Sequence, residues 1–233
     1  MKKYSMTISL LTISLLVVLL TAPFAFALSD SDYNKIRAKS AHFRTAEKYL
    51  AQTWQEATKI MSAADFNKLK AEQKQWIASG RDKDAAAMHK NMDNVSLADA
   101  YALGTSMRNT KITGLIKWSK GKAKGIKQDI YFCGDTNYLI VAQGTKPNTY
   151  RISFYGESWP LNGLENGPNT GEYSGTAPKN GNKLYAYDKT VQEKPVFTII
   201  FKDANNITIT EDPDSEGTYF GQNVYASGNY KKW

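Results

Sequence analysis

The chain has 233 residues, 42% hydrophobic, 12% aromatic and 22% charged, a globular composition that excludes a disordered or collagen-like protein and allows one large domain or two small ones. A single cysteine, Cys133, excludes an intramolecular disulfide and a four-cysteine zinc site, and two histidines, His42 and His89, leave little for a histidine-rich metal centre or a Ser-His-Asp triad. The net charge of +8 is unevenly spread: residues 28–128 hold 19 Lys and Arg against 10 Asp and Glu, whereas residues 129–233 hold 9 against 12.

Residues 1–27 read as a secretory signal. Lys2 and Lys3 give a positive start, 8–20 is an apolar stretch, and Ala25 and Ala27 are the small residues of a cleavage site, so cleavage is expected after Ala27. The apolar stretch is short for a spanning helix, which needs about 20 apolar residues. The mature chain is therefore expected to be exported, periplasmic or extracellular, and not membrane-embedded.

Helix chemistry comes next. Ile36, Phe43, Leu50 and Ala57 recur every seven residues with Ala46, Trp54 and Met61 on the same face, predicting one long amphipathic helix over 31–61. Ser62 and Asp65 open a second in the manner of a capping box, followed by Phe66, Leu69, Gln73, Trp76 and Ile77, with Gly80 as its end. Ser96 and Asp99 repeat the start signal for a third helix to about residue 111. The stretch 120–127, with four lysines and two glycines, reads as a solvated connector. Its charge does not make it a nucleic-acid site, because no aromatic platform is interleaved.

Strand chemistry follows. Short runs at 130–133, 138–142, 149–155, 172–176, 184–188, 196–201, 207–210 and 224–230 are separated by Asn- and Gly-rich turns, and Tyr150, Ile152 and Phe154 alternate with Arg151 and Ser153. Eight short strands suggest an antiparallel barrel or sandwich, closure of which would remove exposed edges. The expected fold class is α+β, a three-helix module followed by a small barrel: signal 1–27, helical domain 28–119, basic linker 120–128 and β domain 129–233.

Two features of the second half could contact a partner. The loop 156–171 has no strand pattern and carries Trp159, Leu161 and Leu164, either for a ligand or to plug a barrel end. Glu211, Asp212, Asp214 and Glu216 cluster around Pro213. The acids alternate like calcium ligands but lack the remainder of an EF-hand pattern, and four acids in one turn do not face each other across a cleft as a glycosidase pair must. A solvated turn is the leading reading, with a calcium loop and a partner contact as alternatives. Cys133 follows Tyr131 and Phe132 in an apolar strand and reads as a small buried hydrophobe. No cofactor motif and no catalytic constellation emerge, so the expectation is a non-enzymatic protein without cofactor or metal.

Leu69, Gln73 and Trp76, then Arg81 and Asp82, resemble the L-x-x-x-Q-x-x-W and R-D signature of the helical domain of LprI-type lysozyme inhibitors. Tyr49 to Trp54, Leu97 to Tyr101, Thr105 and Arg108 are similar to the same family, over residues 30–118. Two departures stand out: the cysteines that staple that family are missing, and the spacing from Trp76 to Arg81 is one residue longer. Residues 197–201, 207–210, 220–225 and 228–230 resemble the closing strands of small envelope barrels, and 131–135 the opening strand of MliC-type lysozyme inhibitors. The resemblance implies a binding protein of the cell envelope that occludes a lysozyme-type cleft, with Trp159, Leu161, Glu211, Asp212, Asp214 and Glu216 as contacts. The alternative is a carbohydrate- or lipid-binding protein that uses the barrel mouth. Many lysozymes are basic, so a mature chain at +6 would have to present its acidic half. Its basic helical half suits an anionic envelope polymer instead.

Overall fold

Four serines start helices. Ser29, Ser40, Ser62 and Ser96 each accept, through Oγ, the backbone amide three residues on, at 3.2, 3.1, 3.2 and 3.1 Å, which satisfies a donor that the first turn leaves without an intrahelical partner. Three of them also donate to an aspartate at that position, Asp32, Asp65 or Asp99, each at 2.7 Å. The computed structural model describes residues 28–233 apart from 93, 161–163, 165–166, 189–193 and 213–218. The signal segment lies outside the described residues.

The helices are α1 (Asp30–Lys39), α2 (Ala41–Ile60), α3 (Ala63–Gln75), a π turn (Trp76–Gly80), α4 (Arg81–Asn91) and α5 (Leu97–Ala123). The expected count of three is corrected to five α-helical segments among the described residues. The expected long first helix breaks at Ser40, which is extended (φ −127°, ψ 121°) and caps α2. Its hydroxyl also reaches Asp99 of α5 at 2.9 Å, so a tertiary contact fixes the break. Gly80 does not end the second helix. The π turn carries the chain straight on into α4, with the Arg81 amide bonded to the Trp76 carbonyl five residues back. A π turn holds one residue more than an α turn, so the chain passes from α3 to α4 without a break. The third helix runs on beyond 111, because its stop signal is Gly125. That residue, at φ 76°, allows the amides of Gly125 and Ile126 to bond the carbonyls of Lys122 and Gly121 at 2.9 and 3.2 Å. Lys120 and Lys122 thus lie in the last turn of α5 and pair with Glu56 and Asp65 at 2.7 and 2.8 Å.

The second half is a closed antiparallel barrel in which each strand pairs with the next: β1 (Gln128–Cys133), β2 (Asn137–Gln143), β3 (Thr149–Ser158), β4 (Asn169–Asn180), β5 (Lys183–Ala186), β6 (Phe197–Phe201), β7 (Asn206–Glu211) and β8 (Gly228–Lys232). Closure is made by Tyr131 opposite Lys232 and Phe132 opposite Lys231, which removes any free edge. The interior is filled by side chains. Phe154, Phe197 and Phe220 pack with ring centroids 5.0–6.4 Å apart, joined by Tyr173, Leu139, Ile209 and Tyr230. Cys133 packs against this interior as a free thiol, and burial raises its pKa.

Strands β1 and β2 are buried on both faces. Tyr131, Leu139 and Val141 point into the barrel core, whereas Ile130, Phe132, Tyr138 and Ile140 join Ala57, Leu69, Ile112, Leu115 and Trp118 of the helices in a second cluster. This is why 130–132 and 138–142 are unbroken apolar runs, while β3 alternates. Helix α5 lies at the centre, with side chains buried all round. Its backbone comes so close to β2 that a Cβ on Gly114 would lie 2.7 Å from the Tyr138 ring. A third cluster, built on Phe43, Tyr101 and Leu103, joins α1, α2, α4 and the start of α5. No helix among the described residues is long and apolar enough to cross a membrane.

Candidate functional site

A cleft of about 720 Å³ opens where α3, the π turn, α4 and α5 meet the turn between β1 and β2. Its volume falls within the range of small-ligand sites, roughly 300–1,000 Å³. Trp76 and Gly80 come from the π turn, Glu72 from α3, Asp84 from α4, Arg108 and Lys111 from α5, and Asp135 from the β1–β2 turn. Gly104 on α5 also lines it, and a Cβ placed there would meet no atom within 4 Å.

Arg108 organises the charges. It is 3% exposed. Its Nε donates to Gln73 Oε1 at 2.8 Å, and its Nη1 lies 3.5 Å from Asp135 Oδ2. Its Nη2 stands 3.8 Å from Glu72 Oε2, too far for a hydrogen bond. Lys111 bridges the same two acids, 3.4 Å from Glu72 and 3.2 Å from Asp135. Two cations therefore face two carboxylates. Even so, Arg108 Nη2 and Glu72 Oε2 are buried without a hydrogen-bond partner among the described residues. Both atoms nevertheless lie in ion pairs, Nη2 with Glu72 at 3.8 Å and Oε2 also with Lys111 at 3.4 Å. Asp84 lies nearby, its pKa raised by burial and by the charge of Asp135, against a hydrogen bond from Trp76 that lowers it.

Of the residues proposed from sequence, those described lie elsewhere. Trp159 packs with Leu164 against the helical cluster of Phe43 and Tyr101 and is not part of the barrel interior. Its Nε1 donates to Glu157 Oε1 at 3.1 Å, and Glu157 Oε2 accepts from Thr110 of α5 at 2.9 Å. Glu157 is buried, and burial raises its pKa against hydrogen bonds from Trp159, Thr110 and Tyr155 that lower it. This network ties β3 to α5. Glu211 is 8% exposed. Its carboxylate accepts the backbone amides of Ala226 and Ser227, the latter at 2.9 Å, and so holds the segment that leads into β8. Asp212 lies 3.7 Å from Lys194. Leu161, Asp214 and Glu216 lie outside the described residues.

The signature residues are engaged within the fold. Leu69 is in the core shared with the barrel, Gln73 holds Arg108, and Asp82 accepts from Tyr101 at 3.0 Å and from Arg81 at 2.9 Å. Asp82 Oδ2 also accepts from the backbone nitrogen of Leu28 at 2.9 Å. The sequence marks Trp76 as part of the apolar stripe of the second helix and of the resemblance, and Arg108 only as part of the resemblance. The available signal was a charge, Arg108, on the buried face of α5 between Thr105 and Ile112. No family model, curated protein or solved structure matches the chain.

Proposed function

We propose that this is an exported, non-catalytic binding protein of the cell envelope, and that the cleft between the helices and the barrel receives its ligand. The observation that supports this reading is the cleft itself, about 720 Å³, with Trp76 and the ion pairs of Arg108 and Lys111 with Glu72 and Asp135 in its lining. The barrel interior is occupied by aromatic side chains, so the cleft is the better receptacle than the barrel mouth. The test is co-sedimentation of residues 28–233 with isolated cell-wall sacculi, with Gly104→Leu as a comparison. Gly104 lines the cleft and has room for a Cβ, so a leucine there adds bulk at its wall. Wild-type protein should sediment and Gly104→Leu should stay in solution. Equal behaviour of the two would overturn the reading.

The resemblance of 69–82 to LprI-type proteins supports a second reading, occlusion of a lysozyme-type cleft. The turbidity of cell walls under lysozyme tests it. Retained lysis at micromolar protein would remove it.

A further inference from the structure

We infer that the barrel end remote from the cleft is a docking surface for an anionic lipid bilayer. The strands run antiparallel in sequence order, so the segment before β1, the β2–β3, β4–β5 and β6–β7 turns and the end of β8 all come to that one end. Backbone hydrogen bonds join them around the rim. The Gln143 amide donates to the Lys127 carbonyl at 3.2 Å, Lys179 to Asn148 at 2.8 Å, Phe201 to Asn182 at 2.9 Å and Lys232 to Asn205 at 2.7 Å. Each connection brings lysine: Lys127 before β1, Lys146 between β2 and β3, Lys179 and Lys183 on either side of the β4–β5 turn, Lys202 between β6 and β7, and Lys231 in β8. All six are exposed. The ion pairs nearby, among the described residues, are made by other lysines: Lys120 with Glu56, Lys122 with Asp65 and Lys232 with Asp129. Asp203 is the exposed acid of these turns, and its Oδ1 accepts the amides of Asn205 and Asn206 at 2.8 and 2.9 Å.

Charge is thus separated along the barrel axis. The opposite end carries Asp135 in the β1–β2 turn, Glu157 near the end of β3, Glu172 near the start of β4, and Glu211 and Asp212 at the end of β7. A half with 9 cations and 12 acids therefore still presents a basic face. Like charges gathered on one face repel each other, and an anionic surface relieves that repulsion. A bilayer fits this face better than a linear polyanion does. The six lysines ring the end of a barrel and do not line a groove, so they meet a plane together. They are flexible point charges, suited to a fluid array of headgroups, whereas the rigid fork of arginine suits a fixed phosphate. The exposed large apolar side chains among the described residues, Tyr49, Tyr187 and Tyr225, belong to α2, to the loop after β5 and to the segment before β8, away from this end. The contact is therefore electrostatic, without insertion. With this end on the bilayer, the Asp135 turn and the cleft beside it face away from the lipid.

The experiment is co-sedimentation of residues 28–233 with vesicles of phosphatidylcholine alone and of phosphatidylcholine mixed equally with phosphatidylglycerol. It is run at about 0.1 M and about 1 M salt, between which the screening length falls from about 10 to about 3 Å. Wild-type protein should pellet with the mixed vesicles at the lower salt only, and with phosphatidylcholine alone at neither. A lysine near an anionic leaflet strengthens binding about fivefold, so Lys146→Gln, Lys179→Gln and Lys202→Gln combined should weaken it about a hundredfold. Lys39→Gln, Lys48→Gln and Lys90→Gln combined remove the same charge from exposed positions on the helices and should weaken it less than about fivefold. Both variants should melt with wild type, because exposed substitutions change stability little. Gly104→Leu, which acts on the cleft, should pellet as wild type does, so failure of the cleft reading leaves this one standing. Equal loss in the two lysine variants would overturn the surface, as a response to net charge alone, and so would absence of wild-type protein from the mixed-vesicle pellet. Long-chain polyphosphate bound through Lys146, Lys179 and Lys202, with no protein on mixed vesicles, would overturn the bilayer and assign this end to a linear polyanion.

Discussion

Replacing Glu211 by alanine separates a carboxylate that holds the fold from one that waits for a partner. Its side chain is 8% exposed and accepts two backbone amides, those of Ala226 and Ser227. Ala226 is completely buried, so water cannot replace the lost acceptor there. Each orphaned amide costs about 1–3 kcal/mol, which puts Glu211→Ala near ~4 kcal/mol. At about 2–4 °C per kcal/mol for a chain of this size, the melting temperature should fall by about 8–16 °C. Glu211→Gln keeps an oxygen acceptor without the charge. Charge-assisted hydrogen bonds are about twice as strong as neutral ones, so it should lose about half as much. The assay is thermal unfolding followed by circular dichroism on residues 28–233. A surface acid would instead change stability by less than about 0.5 kcal/mol. A fall of under about 2 °C for Glu211→Ala would refute the structural role and return the residue to the partner face.

Two further outcomes follow from the packing. Burial raises the Glu157 pKa above its ordinary 4.5, so the folded state holds that proton more tightly than the unfolded chain and loses stability as pH rises from about 4.5 through the raised value. The stability of wild type relative to Glu157→Gln, from urea melts between pH 4 and 8, should therefore decline with rising pH, and a flat or growing difference would contradict it. Cleavage after Ala27 would leave a free ammonium on Leu28, whose nitrogen lies 2.9 Å from Asp82 Oδ2. A Gly-Ser extension should then lower the melting temperature of residues 28–233 by about 2–4 °C, the equivalent of about 1 kcal/mol. Asp82→Asn should erase that difference, and equal melting of the extended and unextended chains would count against the pair.

The parts of the fold that were legible in the sequence are those fixed by local chemistry. Ser62 and Ser96 mark true helix starts because the cap bonds span three residues. Seven of the strands fall where apolar runs and turn residues alternate, whereas the last, expected at 224–230, lies at Gly228–Lys232. What was hidden depends on distant partners. Ser40 reads as an interior helix residue until Asp99, 59 positions away, is seen to fix its hydroxyl. The end of α5 was set too early: Gly114 lets the helix lie on Tyr138, and the stop comes only at Gly125. The cleft was hidden most completely. Glu72, Asp84, Arg108 and Asp135 are dispersed over sixty residues, and only the crossing of α5 by α3, α4 and the β1–β2 turn brings them together.

The signature around 69–82 takes on a different weight once its contacts are known. Leu69, Gln73, Arg81 and Asp82 hold helix to helix, and Leu69 also holds helix to barrel. A residue engaged in this way can be retained for the fold alone, so its presence says more about architecture than about a lysozyme-type partner. Arg108 belongs to the same set. Its Nε donates to Gln73 at 2.8 Å, its Nη1 lies 3.5 Å from Asp135 and its Nη2 3.8 Å from Glu72. Removing one partner of a buried ion pair leaves the other charges uncompensated and costs about 3–5 kcal/mol, so an apolar side chain at 108 alone would loosen the contact of α5 with α3 and with the β1–β2 turn.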